Sequence, residues 1–344
     1  MDDRRPRLTP AVADVRRAVR EGLEARGLEP GALVLVALSG GPDSLALAAA
    51  TAFEAPRAGL VAGAVVIDHG LQADSDAVAA RAAGQASALG LAPVLISRVE
   101  VTMGPASVTG GTEAAARSAR YAALDRARQE TGAAAVLLGH TLDDQAETVL
   151  LGLARGAGAG SLRGMEPVSA AGTRLRPLLG IRRATTLALC IDSGLEPWHD
   201  PHNLDPSFTR VRVRETVLPL LERELGPGIA DALARTAEQF REDDDTLHDM
   251  ATETIEDLVE HAEAGIAISA PALEANPPAL RNRIIRYVVD SEFGVSLSRS
   301  QTLAVAALVT GWHGQKGVDL PGIRVVRRGA RIVFSRAVHE TIDD

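Results

Sequence analysis

An α/β fold, a doubly wound parallel sheet followed by a smaller α+β C-terminal domain, is what this sequence predicts. Three observations carry the expectation. From Leu33 to Gly139 short apolar runs alternate with stretches of good helix formers, the pattern of strands joined by crossover helices. The first run, Leu33–Leu38, passes directly into a helix through the turn Ser39-Gly40-Gly41-Pro42-Asp43-Ser44. Beyond Leu225 the alternation stops, and an acidic helix, a proline-rich break and an arginine-bearing hairpin follow. The expected domains are residues 1–224 and 225–344.

Composition bounds the rest. A chain of 344 residues, 46% of them hydrophobic, is long enough for about two domains with a sizeable core. Its single cysteine, Cys190, cannot form an internal disulfide and lies in an apolar stretch, which points to a reducing compartment and a structural role. No apolar run approaches the ~18 residues of a membrane span, and the Arg- and Asp-rich N-terminus has no apolar signal core, so the expected location is cytoplasmic. The net charge of -9 hides a segregation. Arg241 is the only cation in the acidic stretch from Glu238 to Glu263, whereas from Gly311 to Arg336 basic residues prevail over Asp319. An acidic protein can thus still present a basic patch to nucleic acid. Lys316 is the only lysine, so the use of arginine elsewhere reflects composition and carries little functional information.

In chain order, Val12, Val15 and Val19 share one face of an N-terminal helix that ends at the break Gly27–Gly31. Leu60–Ile67 reads as a second strand, Ser75–Leu89 as a helix, Pro93–Val101 as a third strand, Thr112–Gln129 as a helix and Ala133–Gly139 as a fourth strand. A glycine-rich segment from Leu153 to Met165 leads to Arg174, Arg176, Arg182 and Arg183, and then to a helix with Gly194 as its cap. Near the end, Ile323–Val326 and Arg331–Phe334 form a hairpin whose arginine-rich turn suits RNA backbone contacts.

The chemistry lies past the strand ends, the edge where open α/β sheets bind ligands. In the first turn, paired glycines let the backbone approach a ligand and Pro42 suits the first helical position. Free N–H groups and the hydroxyls of Ser39 and Ser44 then favour a phosphate. The turn has neither the Walker A lysine nor the spacing of a dinucleotide turn. It carries Asp43, which repels phosphate unless a cation such as Mg²⁺ lies between them. The second strand ends in Asp68-His69-Gly70-Leu71, which serves equally as a site or as a capped turn. The fourth ends in Gly139-His140-Thr141-Leu142-Asp143-Asp144, followed by Gln145-Ala146-Glu147-Thr148 on a helix. If the sheet is wound as expected, Asp43 and Asp144 approach from adjacent loops and, with phosphate oxygens, form an oxygen-only Mg²⁺ site.

These residues also carry a resemblance. Ser39–Ser44 resembles the pyrophosphate loop of the N-type ATP pyrophosphatases, which cleave ATP between its α and β phosphates, and the Asp68 and His140 motifs resemble further signatures of that superfamily. The segment Asp200-Pro201 through Asn203, Asp205, Phe208, Arg210 and Arg214 is similar to one of the tRNA(Ile)-lysidine synthases, and the likeness covers about residues 30–224. Two positions depart from it. Thr141 stands where many members have His or Asn, which leaves His140 as the one imidazole, and Val211 stands at an Asn position.

The resemblance implies an adenine nucleotide alpha hydrolase-like fold and a ligase that takes ATP, L-lysine and tRNA(Ile) with the CAU anticodon. The C2 oxygen of the wobble cytidine is adenylated, and the ε-amine of lysine then displaces AMP to give lysidine. It further implies ATP on Ser39, Gly40, Gly41, Pro42, Asp43 and Ser44 with Asp68 and His69, and catalysis by Asp43, Asp144 and His140. Mg²⁺ falls to Asp43 and Asp144, and phosphate or tRNA to Arg120, Arg210 and Arg214; a homodimer is compatible with it. Two alternatives stay open. A tRNA thiolase of the same superfamily is disfavoured by the single cysteine, and a non-catalytic ATP-binding module would need neither Asp144 nor the arginine segment.

Overall fold

The computed structural model describes residues 8–68, 70, 74–99, 111–156, 158–198, 200–262 and 265–337. His69 and Leu71, the end of the expected third strand and its continuation to residue 110 lie outside them. The chain divides into two compact units, residues 1–240 and 241–344.

The first unit opens with α1 (Pro10–Arg26), which begins on a Thr9 cap with proline at its first position and stops at Gly27 in the left-handed region. Strand β1 (Leu33–Leu38) leads through the glycine turn into α2 (Pro42–Glu54). Then come β2 (Val61–Asp68), α3 (Ser75–Ala88), β3 (Val94–Arg98), α4 (Gly111–Thr131), β4 (Ala135–Leu137) and α5 (Leu142–Ala154). The strands are parallel in the order β3-β2-β1-β4-β5, where β5 (Arg174–Leu175) is a two-residue strand that sequence periodicity could not reveal. Both faces are covered. On one, Val34, Val36, Leu38 and Leu137 pack with Val15, Val19, Leu45, Leu47 and Leu189; on the other, Leu35, Val65, Val136 and Leu138 pack with Leu124 and Ala127 of α4. That two-sided burial explains why the strands read as unbroken apolar runs.

Short α6 (Ala159–Leu162) and β5 precede α7 (Arg183–Asp192), whose end is closed by Ser193 and the left-handed Gly194. After α8 (Thr209–Arg212) the helix widens into a π turn at Val213–Val217 and continues as α9 (Leu218–Leu225). A small apolar cluster of Leu142, Ala146, Val213, Leu218 and Ala230 seats this segment against α5.

α10 (Ile229–Leu258) runs through the division between the units. The second unit holds β6 (Val259–Ala262), β7 (Gly265–Ser269), α11 (Ala270–Ala275), α12 (Pro278–Phe293), α13 (Arg299–Thr310), β8 (Val318–Leu320), β9 (Ile323–Arg328) and β10 (Arg331–Arg336). The expected hairpin is the β9–β10 pair, but it belongs to a five-stranded antiparallel sheet of order β6-β7-β10-β9-β8 over a core that includes Ile268, Ile284, Val305 and Phe334. Its turn is less free than its charge suggests. Arg327 donates to the carbonyls of Leu308 and Val309 at 3.0 Å, closing the end of α13, and lies over the Trp312 ring. Among the described residues no helix is long and apolar enough to cross a membrane.

Candidate active site

Strand order reverses between β1 and β4: β2 and β3 continue on one side of β1, and β4 and β5 lie on the other. The loops leaving β1 and β4 therefore diverge above the sheet and open a crevice at its carboxyl edge. The glycine turn leaves β1 and the His140–Asp144 loop leaves β4, so both expected motifs meet there. Gly139 permits the approach, since a Cβ at this position would come within 3.1 Å of the Asp43 carbonyl group.

In the glycine turn Gly40 is left-handed and α2 starts at Gly41 without a side-chain cap. Its first-turn N–H groups remain available to an anion. The Ser39 and Ser44 hydroxyls lie 3.1 Å apart, and Ser44 accepts from the Ser39 N–H at the same distance, so these side chains shape the turn. Beneath it Cys190 is buried, donates to the Pro42 carbonyl and has its thiol pushed up to about 12 by burial and by Asp43.

Two adjoining cavities flank this turn. One of about 330 Å³ is lined by Ser39, Gly41, Asp68, Arg120, Trp198 and Asn203 among others. The second, of about 190 Å³, includes Asp43, Ser44, His140, Asp144, Arg183 and Arg214, and shares Ser39, Arg120 and Asn203 with the first. Asp68 is buried and accepts from the Gly70 N–H at 2.9 Å. Trp198 donates its backbone N–H to the Gly40 carbonyl at 2.8 Å, which brings the segment before Asn203 against the glycine turn.

Asp144 is 8% exposed and is held by a reciprocal cap. Its Oδ2 accepts from the Thr141 N–H at 2.8 Å and the Thr141 hydroxyl at 2.9 Å, leaving Oδ1 for Arg183 at 2.9 Å and Arg214 at 3.5 Å. Burial pushes the Asp144 carboxyl up, but Arg183, the Thr141 N–H and Arg210 outweigh it and hold the acid below its ordinary value. Asp43 behaves in the opposite sense. Burial, aided by Asp144, raises it against the Thr186 hydroxyl and Arg183, both of which it contacts. His140 is pressed down to about 3, chiefly by burial, with Arg176, Arg120 and Arg117 opposing its charge and Asp144 favouring it. It is a neutral imidazole at physiological pH, and its Nδ1 is buried with no hydrogen-bond partner among the described residues.

Three functional-site residues escaped the sequence reading. Glu147, 0% exposed, accepts from Arg210 Nε at 2.8 Å, Arg214 Nε at 2.7 Å and Arg183 Nη1 at 3.4 Å. Arg183 touches Asp43, Asp144 and Glu147 together, and Thr186 from the same helix reaches Asp43. Asp143 fixes that helix by accepting the Arg183 N–H at 2.7 Å. Arg210 and Arg214, expected on phosphate or RNA, both pair with Glu147, while Arg212 turns away to the Pro206 and Ser207 carbonyls. Arg120 lines both cavities and makes no hydrogen bond or ion pair among the described residues; burial lowers its pKa. The only available signals were the i, i+3 spacing of Asp144 and Glu147 and the cluster of four arginines around Pro177.

The donors present fit a hard divalent cation, because Asp43 and Asp144 open onto one cavity beside an uncapped helix end and Mg²⁺ commonly takes one or two carboxylates plus substrate phosphates. No group of three or more His, Cys, Asp or Glu residues poised for a metal exists among the described residues, so phosphate oxygens and water would complete the shell.

Comparison with known proteins identifies the family. Residues 14–221 match the PP-loop domain family and residues 268–333 the TilS substrate binding domain family. A tRNA(Ile)-lysidine synthase of Leifsonia xyli subsp. xyli is 64% identical over 308 residues, covering 89% of this chain and 91% of that protein. One from Thermobifida fusca is 51% identical, covering 93% and 95%. Among solved structures, the U34-tRNA thiolase NcsA from Methanococcus maripaludis superposes with a TM-score of 0.57 at 21% identity, covering 67% of this chain and 80% of that one, a likeness of fold. With a PP-loop domain over most of its first unit, a TilS substrate binding domain in its second and relatives matched nearly end to end, the chain belongs to the tRNA(Ile)-lysidine synthase family of ligases.

Proposed function

We propose that the chain joins L-lysine to C2 of the wobble cytidine in tRNA(Ile) with the CAU anticodon, through an adenylated cytidine, at the cavity shared by Asp43 and Asp144. The observation that supports this most is the convergence of two carboxylates from separate crossovers beside the PP-loop. ATP lies along the turn Ser39–Ser44, with its nucleoside in the larger cavity between Asp68, Arg120 and Trp198. The cytidine O2 attacks the α-phosphorus and pyrophosphate leaves. The lysine ε-amine then attacks C2, AMP leaves with the oxygen, and the amine proton passes to solvent or a base.

A carbonyl oxygen is a poor leaving group, and esterification to AMP makes it a good one. Mg²⁺, held by Asp43 and Asp144 when bound, supplies charge neutralisation at the phosphates. Arg120, without a hydrogen bond or ion pair among the described residues and common to both cavities, stabilises negative charge on the α-phosphate through both steps. His140, neutral and lining the same cavity, sets an uncharged imidazole beside the reacting groups. Arg210 and Arg214 position Glu147 and, with it, the rear of the site. The sheet of the second unit contributes to holding the tRNA.

The test is incorporation of labelled lysine into a tRNA(Ile) transcript with ATP, followed by mild alkali. Lysidine survives and an aminoacyl ester does not, so ATP-dependent, alkali-stable label is expected. Failure to incorporate any stable label, with ATP and the CAU transcript present, would refute the reading.

A further inference from the structure

Arg183 occupies an unusual position: one guanidinium spans Asp43 at 3.4 Å, Asp144 at 2.9 Å and Glu147 at 3.4 Å. The first two are the carboxylates assigned above to a divalent ion. Within the clasp itself three carboxylates, Asp43, Asp144 and Glu147, face three guanidiniums, Arg183, Arg210 and Arg214. Adding a divalent cation to this arrangement places two further positive charges in a partly buried cavity, where repulsion is screened far less than in water. Something must leave or a counter-anion must enter. Arg210 and Arg214 are fastened to buried Glu147 from their own helix, so neither is the group to leave. Arg183 holds Glu147 only at 3.4 Å and stands on the first turn of α7, whose N-terminus is independently fixed by Asp143 through the backbone N–H. Its side chain can therefore swing without moving the helix.

We propose that Arg183 is the resting counter-ion of this site: it occupies the place of the divalent cation between Asp43 and Asp144 and releases both when Mg²⁺ enters with the nucleotide. The bound polyphosphate brings the negative charge that accepts the displaced guanidinium, so metal and nucleotide enter as one coupled event. The ligand-free chain, by the same exchange, rejects free divalent ions and keeps its two carboxylates preorganised. Thr186, which donates to Asp43 from the same helix, keeps that carboxylate oriented while Arg183 departs. The role is one of positioning, and it rests on the metal assignment above.

The experiment measures Mn²⁺ binding to the full chain by electron paramagnetic resonance without nucleotide. R183Q is expected to bind Mn²⁺ at least about tenfold more tightly than the parent, because the competing charge is gone, and R183Q/D43N is expected to lose the gain. In thermal unfolding, Mn²⁺ alone should raise the midpoint of R183Q and leave the parent unmoved. Should R183Q not fold, R183K replaces it; a compact ammonium lacks the spread fork that reaches Asp43 through Nε and Asp144 through Nη2, and its Mn²⁺ affinity should lie several-fold above that of the parent. Equal nucleotide-free affinity in parent and variant overturns the proposal. The metal assignment is read separately, from D43N with a non-hydrolysable ATP analogue. If D43N does not weaken Mn²⁺ binding there, that assignment fails, whatever Arg183 does.

Discussion

Glu147 is sealed from solvent beneath Arg183, Arg210 and Arg214, so removing its charge leaves those partly exposed guanidiniums with only Asp43 and Asp144 as carboxylate partners. E147Q should lower stability by about 1–3 kcal/mol, the usual cost of losing a charged hydrogen-bond acceptor when the donors keep other partners. A urea midpoint equal to the parent's would show that the cluster is looser than its geometry. His140 gives a pH-dependent counterpart. Its folded-state pKa of about 3 lies below the ordinary 6.5, so between those values the unfolded chain binds a proton that the folded chain refuses. The stability linked to His140 is complete above pH 6.5 and is lost as pH falls toward 3. From pH 7 to pH 5 the loss should be about 2 kcal/mol. H140N should flatten that part of the profile, and identical slopes for variant and parent would contradict the assignment of a neutral buried imidazole.

At the level of elements, the start of α5 is the joint on which the site turns. Thr141 caps the helix and at the same time takes one oxygen of Asp144, so that the other is left to face Arg183. T141V should cost about 1 kcal/mol of stability and lower turnover by more than that loss explains, whereas T141S should restore both. Gly139 limits the opposite wall. In G139A the new Cβ would stand 3.1 Å from the Asp43 carbonyl, and the displaced turn should raise the KM for ATP with little change in the melting temperature. An unchanged KM would mean that the two loops tolerate separation.

These elements also mark what could be read from residues alone. The strands β1, β2 and β4 were legible because burial on both faces leaves an apolar run with no alternation, and the glycine turn because its residue types match its geometry. The antiparallel sheet was only half legible. Its hairpin alternates, whereas β6 and β8 are short and flank helices that dominate the pattern. The arginine clasp was hidden for another reason. Arg183 and Arg214 lie far along the chain from Glu147, and helical spacing places Arg210 and Arg214 on one face without saying what that face meets.

For the molecule as a whole, the account comes down to topology. A strand order of β3-β2-β1-β4-β5 puts the turn after β1 and the helix after β4 on either side of one crevice, and any chain wound otherwise would leave Asp43 and Asp144 apart. The acidic total charge is no obstacle to an RNA substrate, since basic residues prevail locally from Gly311 to Arg336 although the acidic stretch lies in α10 and the segment after it. The most direct measurement is transfer of AMP from ATP, radiolabelled in its α-phosphate, to the CAU transcript in the absence of lysine. The parent should label the tRNA and release pyrophosphate, while D43N and D144N, folded by circular dichroism, should each label it at least about 100-fold more slowly. Labelling at the parental rate by either variant would contradict the claim that these two carboxylates form a single phosphate-activating centre.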